Sequence, residues 1–110
     1  MQYGERRMGK LIQTHNDDIV QEINLADHVF TIGRALHCNL SINDPQISQH
    51  HAQIIPDTDD QANRVTYRIK DLYSTNGTYV NSQRVDDIEL KDQDIVCIGT
   101  SKLTFCENCA

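Results

Sequence analysis

Hydrophobic and polar positions along this chain alternate over short distances, and no helical period of apolar residues develops anywhere. In "RVTYRIKDL", Val65, Tyr67 and Ile69 fall on one face while Arg64, Thr66, Arg68 and Lys70 fall on the other, the period of a half-buried strand. Similar β-rich runs, split by polar clusters, predict strands at Lys10–Thr14, Ile19–Leu25, Val29–Gly33, Leu40–Ile42, His51–Pro56, Val65–Asp71, Thr78–Val80, Arg84–Val85, Ile95–Ile98 and Lys102–Cys106. "HNDD" and "GTSK" read as hairpin turns and "DTDDQAN" as a longer exposed loop. Many short strands with no helix between them predict an all-β antiparallel sandwich. Residues 1–8 read as a flexible N-terminal lead, 9–106 as one domain and 107–110 as a C-terminal tail.

A sandwich concentrates its chemistry in the loops at one end. The stretch "LYSTNGTYVN" (residues 72–81) is the most loaded of them. Asn76-Gly77 alone suffices for a tight turn, because both residues tolerate positive φ. Ser74, Thr75 and Thr78 add three hydroxyls. Either they cap the turn locally or they face a ligand. Gly33-Arg34 and "PQISQHH" (residues 45–51) are the other loops with polar capacity.

Composition narrows the ligand. The 110 residues suffice for one domain with its own core, and 38% hydrophobic residues without Trp make that core modest. A formal net charge of −6 argues against DNA or RNA, whose phosphates need many Lys and Arg. Between Lys10 and Arg64 the one permanent cation is Arg34, set among eight carboxylates. A lone planar guanidinium beside Ser48, Thr75 and Asn76 matches a single phosphate. No run approaches the ~20 apolar residues of a membrane span, and no apolar leader signals export. Cys38, Cys97, Cys106 and Cys109 are spaced too irregularly for a disulfide framework, so reduced thiols in a cytoplasm are expected.

The order Gly33-Arg34, Ser48-x-x-His51, Thr75-Asn76-Gly77-Thr78, closed by Val80-Asn81, resembles the forkhead-associated (FHA) domain over nearly the whole chain, about Gly9 to Cys106. "CNLSIND" and "LKDQDIVCIG" match further stretches of that family's pattern. The resemblance implies an eleven-stranded β-sandwich that binds phosphothreonine in partner proteins, without catalytic residues or cofactor. It implies phosphate contacts from Arg34, Ser48 and Thr75, a contact to the peptide backbone from Asn76 and a polar contact from Gln49. Gly33, His51 and Gly77 would be scaffold. The partner would be a phosphothreonine protein or peptide, such as a Ser/Thr kinase or its substrate. Gln49 stands where many relatives carry Arg, Lys or Asn, Gln46 is neutral at a position that often tunes peptide choice, and Gln93 stands where Gly is frequent.

Other readings compete. Ser48 and His51 suggest a hydrolase, but there is no G-x-S-x-G elbow and no third triad member. His37-Cys38, His50-His51 and Cys106-x-x-Cys109 include zinc-type ligands, yet only one C-x-x-C pair exists, and adjacent histidines on a strand point to opposite faces. The remaining alternatives are phosphate-independent docking or self-association, or a metal or redox protein using Cys106 and Cys109.

Overall fold

The computed structural model describes residues 8–62 and 64–107. The expected lead and tail therefore lie, apart from Met8 and Glu107, outside the described residues. Eleven strands run in chain order: β1 Lys10–His15, β2 Asp18–Asn24, β3 Phe30–Gly33, β4 Leu40–Ser41, β5 Ala52–Asp59, β6 Arg64–Asp71, β7 Thr78–Val80, β8 Gln83–Val85, β9 Asp87–Glu89, β10 Ile95–Ile98 and β11 Ser101–Cys106. They form a six-stranded sheet in the order β2-β1-β11-β10-β7-β8 and a five-stranded sheet in the order β4-β3-β5-β6-β9. All pairings are antiparallel except the short β3–β4 pair, which is parallel.

Inward positions of the two sheets meet in one core. Leu11, Val96, Ile98, Leu103 and Phe105 come from the first sheet; Ile32, Ile54, Val65, Tyr67 and Ile69 come from the second. The alternation expected for residues 64–70 holds: Val65, Tyr67 and Ile69 are buried while Arg68 and Lys70 are exposed. Tyr67 and Phe105 meet edge to face across the sheets at 5.8 Å.

Several strand ends shift by one residue from the sequence reading, and three differences have a clear physical reason. Strand β9 is absent from the expected set because "DIE" offers one apolar residue at a sheet edge. Strand β5 continues through Pro56 to Asp59, where a loop is expected. Proline is tolerated there because β3 reaches only as far as the Phe30–Ile54 pair. Beyond it one side of β5 has no neighbour, so the missing N–H breaks no ladder. His51 precedes β5 rather than opening it.

The tight turns follow local chemistry. Asn16-Asp17 and Asn81-Ser82 each join paired strands with positive φ at both residues, the mirror-image turn that matches strand twist. Cys38 and Cys97 are free thiols, whereas Cys106 is disulfide-bonded. The expectation of reduced thiols throughout therefore fails at Cys106, the last residue of β11.

Tyr67 also carries a polar task. Its buried hydroxyl accepts from Gly9 N at 3.2 Å and donates to Ala26 O at 3.1 Å, fastening the chain on both sides of the β1–β2 hairpin. Burial raises the phenol's pKa above its ordinary value, against the opposing hydrogen bond from Gly9. Tyr67→Phe should leave both backbone groups unpaired and cost about 1–2 kcal/mol. The expected reading is a melting temperature lowered by several degrees; an unchanged melt would show that water replaces the hydroxyl.

Candidate functional site

Strand directions bring the loops after β3, between β4 and β5, and between β6 and β7 to one end of the sandwich. Backbone bonds join the first two, with Arg34 N donating to Ser48 O at 3.0 Å and Ala35 N to Gln49 O at 3.1 Å. This seam explains Gly33: a Cβ there would lie 2.2 Å from the Gln49 carbonyl oxygen. No side chain fits without opening the seam.

His51, fully buried, ties in the third loop. Its Nδ1 accepts from Ser48 N at 3.1 Å, which places the ring proton on Nε2. Nε2 then donates to Gly77 O at 2.8 Å. The residue's own backbone adds His51 N to Ile32 O at 3.0 Å and Leu72 N to His51 O at 2.9 Å. One side chain and its peptide units thus hold three loops.

Within the turn, the hydroxyls divide. Ser74 and Thr78 are buried and both donate to Asp71, at 2.5 Å and 2.8 Å. Ser74 N donates to the other Asp71 oxygen at 3.1 Å, and Ser74 Oγ accepts from Gly77 N at 2.9 Å. These two hydroxyls cap the turn. Thr75 is exposed; its N–H donates to Ser48 Oγ at 3.1 Å, and its hydroxyl makes no hydrogen bond among the described residues. Gly77 takes φ +90°, the conformation that favours glycine.

Arg34 is half-buried rather than fully solvated, because its Nε donates to Ile47 O at 2.9 Å. That bond aims the guanidinium and leaves its two terminal nitrogens without hydrogen bond or carboxylate among the described residues. Asn76 Nδ2 donates to Gln46 O at 2.8 Å, so the residue braces the neighbouring loop while its Oδ1 remains open. The Gln49 side chain is exposed at the rim. Below, Asp44 accepts from Gln46 N, Thr100 N and Thr100 Oγ1, which hold its carboxyl below the usual range. The fold thus brings Arg34, Ser48, Thr75, Asn76 and Gln49 to one end, supported by Gly33, His51 and Gly77.

Asp71 escaped the sequence reading except as a strand end. Its signal is a carboxylate three residues before Ser74 and seven before Thr78, local capping chemistry at a strand-to-turn junction. Among the described residues no three His, Cys, Asp or Glu side chains converge as a metal set, and Cys109 lies outside them. His50 and His51 point apart: His51 is internal, while His50 meets His37 edge to face at 4.8 Å.

Two substitutions probe this frame. His51→Ala should strand the Ser48 N–H and the Gly77 carbonyl and cost about 1–3 kcal/mol, read in a denaturant melt; a wild-type midpoint would refute the bridging role. For Asp71, burial pushes the carboxyl up, but hydrogen bonds from Ser74 and Thr78 outweigh it and hold the pKa low. A pKa lower in the folded than in the unfolded chain stabilises above the unfolded value, about 3.9, and that stability is lost as pH falls through the folded value. Asp71→Asn should therefore destabilise at pH 7, and its deficit against wild type should shrink as pH drops below about 4. A deficit independent of pH would overturn the assignment.

Comparison with known proteins agrees with this architecture. The family model described as FHA domain matches residues 30–99. An ABC transporter ATP-binding/permease protein of Mycobacterium tuberculosis is 38% identical over 76 residues, which is 69% of this chain but only 8% of that protein's length. A structure solved in an analysis of phosphothreonine-dependent FHA domain interactions superposes with a TM-score of 0.78 at 26% identity, covering 94% of this chain and 99% of the other. The FhaA FHA domain, solved in complex with the intracellular domain of Rv3910, gives 0.74 at 28% identity, over 88% and 98%. With that match over the three loops and most strands, the chain belongs to the FHA domain family.

Proposed function

We propose that this domain binds phosphothreonine in a partner protein, through Arg34, Ser48 and Thr75 on the phosphate, Asn76 on the flanking peptide backbone and Gln49 at the rim. The observation that carries the reading is the Arg34 fork, anchored through Nε and open at both terminal nitrogens, beside the unengaged Thr75 hydroxyl. An anchored guanidinium offers two parallel donors to one phosphate, and nearby hydroxyls complete its acceptor oxygens. The phosphothreonine-dependent interactions of the superposing FHA structure support it as well. In this reading the domain is a binding module with no catalytic residue and no cofactor. It acts in Ser/Thr kinase signalling, with residues 9–106 as the functional unit.

The test is a titration of paired peptides that differ only in phosphorylation of one threonine. The expected affinity is micromolar, about −8 kcal/mol, for the phosphopeptide. It should weaken as pH falls through about 6, where the phosphate dianion gains a proton. Equal binding of the unphosphorylated peptide would favour phosphate-independent docking instead. Arg34→Ala should lose roughly 1.5–3 kcal/mol of binding and about 1 kcal/mol of stability, since Ile47 O also loses its donor. Arg34→Lys should restore only part of the binding, because an ammonium lacks the fork.

A further inference from the structure

The described residues hold four arginines, in a chain with 16 Asp and Glu against 10 Lys and Arg. Carboxylates are in surplus, and two of the four arginines have taken one. Arg64 pairs with Glu107, and Arg68 with Asp87 at 2.9 Å. Arg34 and Arg84 pair with no carboxylate among the described residues. They lie far apart in sequence, yet the fold brings both to the loop end that carries the β6–β7 turn.

Arg84 reaches that turn from β8. It stands opposite Tyr79 of β7, and its exposed side chain leans across to lie against Gly77. A Cβ on Gly77 would fall 2.8 Å from Arg84 Nε and 3.0 Å from Cζ. The guanidinium thus occupies the space that a side chain at position 77 would take, a second use for glycine there besides its φ of +90°. Resting on the turn, the guanidinium makes no hydrogen bond among the described residues. The turn beneath it is fixed, since Gly77 O accepts from His51 and the Asn76 side chain is held on Gln46 O. An unpaired cation is therefore laid against the residue that follows Asn76.

Resting on the phosphothreonine reading above, we propose that Arg84 selects the peptide: its guanidinium takes an Asp or Glu side chain on one flank of the bound phosphothreonine. A planar guanidinium with its donors free matches a carboxylate, which accepts two parallel N–H groups. A chain of net charge −6 repels acidic side chains over much of its surface, so an unpaired guanidinium singles out the position where one is accepted. Gly77 and Asn76 are neighbours, with Cα atoms about 3.8 Å apart. An extended peptide lying on Asn76 and advancing about 3.3 Å per residue brings the favoured acid within about three positions of the phosphothreonine.

The experiment titrates phosphothreonine peptides with alanine flanks in which a single Glu, or a single Arg, is moved along both sides. The expected result is a gain of about two- to fivefold for Glu at one position on one flank, the size of an exposed ion pair, and none for Arg there. Arg84→Gln should abolish that gain while the alanine-flanked phosphopeptide loses no more than about twofold. Its melt should stay within a few degrees of wild type, because the side chain makes no bond within the fold. Arg84→Glu should invert the preference, so that Arg is favoured and Glu disfavoured at the same position. Absence of any Glu preference, or one that survives Arg84→Gln, overturns the subsite alone. So does an equal loss for every phosphopeptide in Arg84→Gln, which would put Arg84 on the phosphate instead. Failure of every phosphopeptide to bind the folded wild-type protein overturns the subsite together with the phosphothreonine reading.

Discussion

A neutral imidazole at the centre of the loop end is the constraint on which the site depends. The three loops belong to different strand connections; backbone bonds join the first two, and the third, between β6 and β7, has to be tied to them. What is needed between Ser48 N–H and Gly77 C=O is an acceptor and a donor on opposite sides of one rigid group. A histidine ring in the Nε2–H form supplies both, at 3.1 Å and 2.8 Å. The full burial of His51 makes the arrangement exacting, because polar atoms shielded from water gain no alternative partner. A second proton, on Nδ1, would set a donor against the Ser48 N–H.

Asp71 completes the frame from the other side. By taking Ser74 and Thr78 inward it satisfies the turn's internal groups, which leaves Thr75 and the outer edge of Asn76 for other partners. Arg34 follows the same logic, with one nitrogen spent on Ile47 O and the rest of the fork open. Groups ordered by folding need not be ordered again on binding, so the entropy of immobilising them does not weaken the complex. Polar residues packed so densely in one short turn thus serve two functions, half holding the loop and half presented by it.

Strand alternation in residues 64–71 and the Asn-Gly turn were legible because they depend on local periodicity and local φ preference. The end of β5 was not, because tolerance of Pro56 depends on how far a different strand, β3, extends beside it. Nor was β9, whose pairing with β6 comes from tertiary placement of an edge segment with little apolar pattern. The site's residue types could be read in order along the chain, and the family pattern grouped them. The division of Ser74, Thr75 and Thr78 into inward and outward hydroxyls could not, since it depends on where the Asp71 carboxylate stands.

Positive φ away from glycine has a local structural cause at each residue that takes it. Asn16, Asp17, Asn81 and Ser82 occupy two-residue hairpin turns, where that conformation matches the twist of the flanking strands. Asn81 is further held by its side chain, which accepts from Ile95 N and donates to Asp94. Gln93, at φ +72°, stands where the family favours glycine, but its N–H donates to Phe105 O at 2.7 Å and its side chain reaches Asp92 and Cys106. Each of these side chains or turns takes part in the structure that bends it. Tyr73 takes the same conformation with its ring wholly in solvent, at the rim of the loops that carry Thr75 and Asn76. Its cause is still local: Leu72 N is fixed on His51 O and Ser74 N on Asp71, so the chain must bend at the residue between them, whatever side chain stands there.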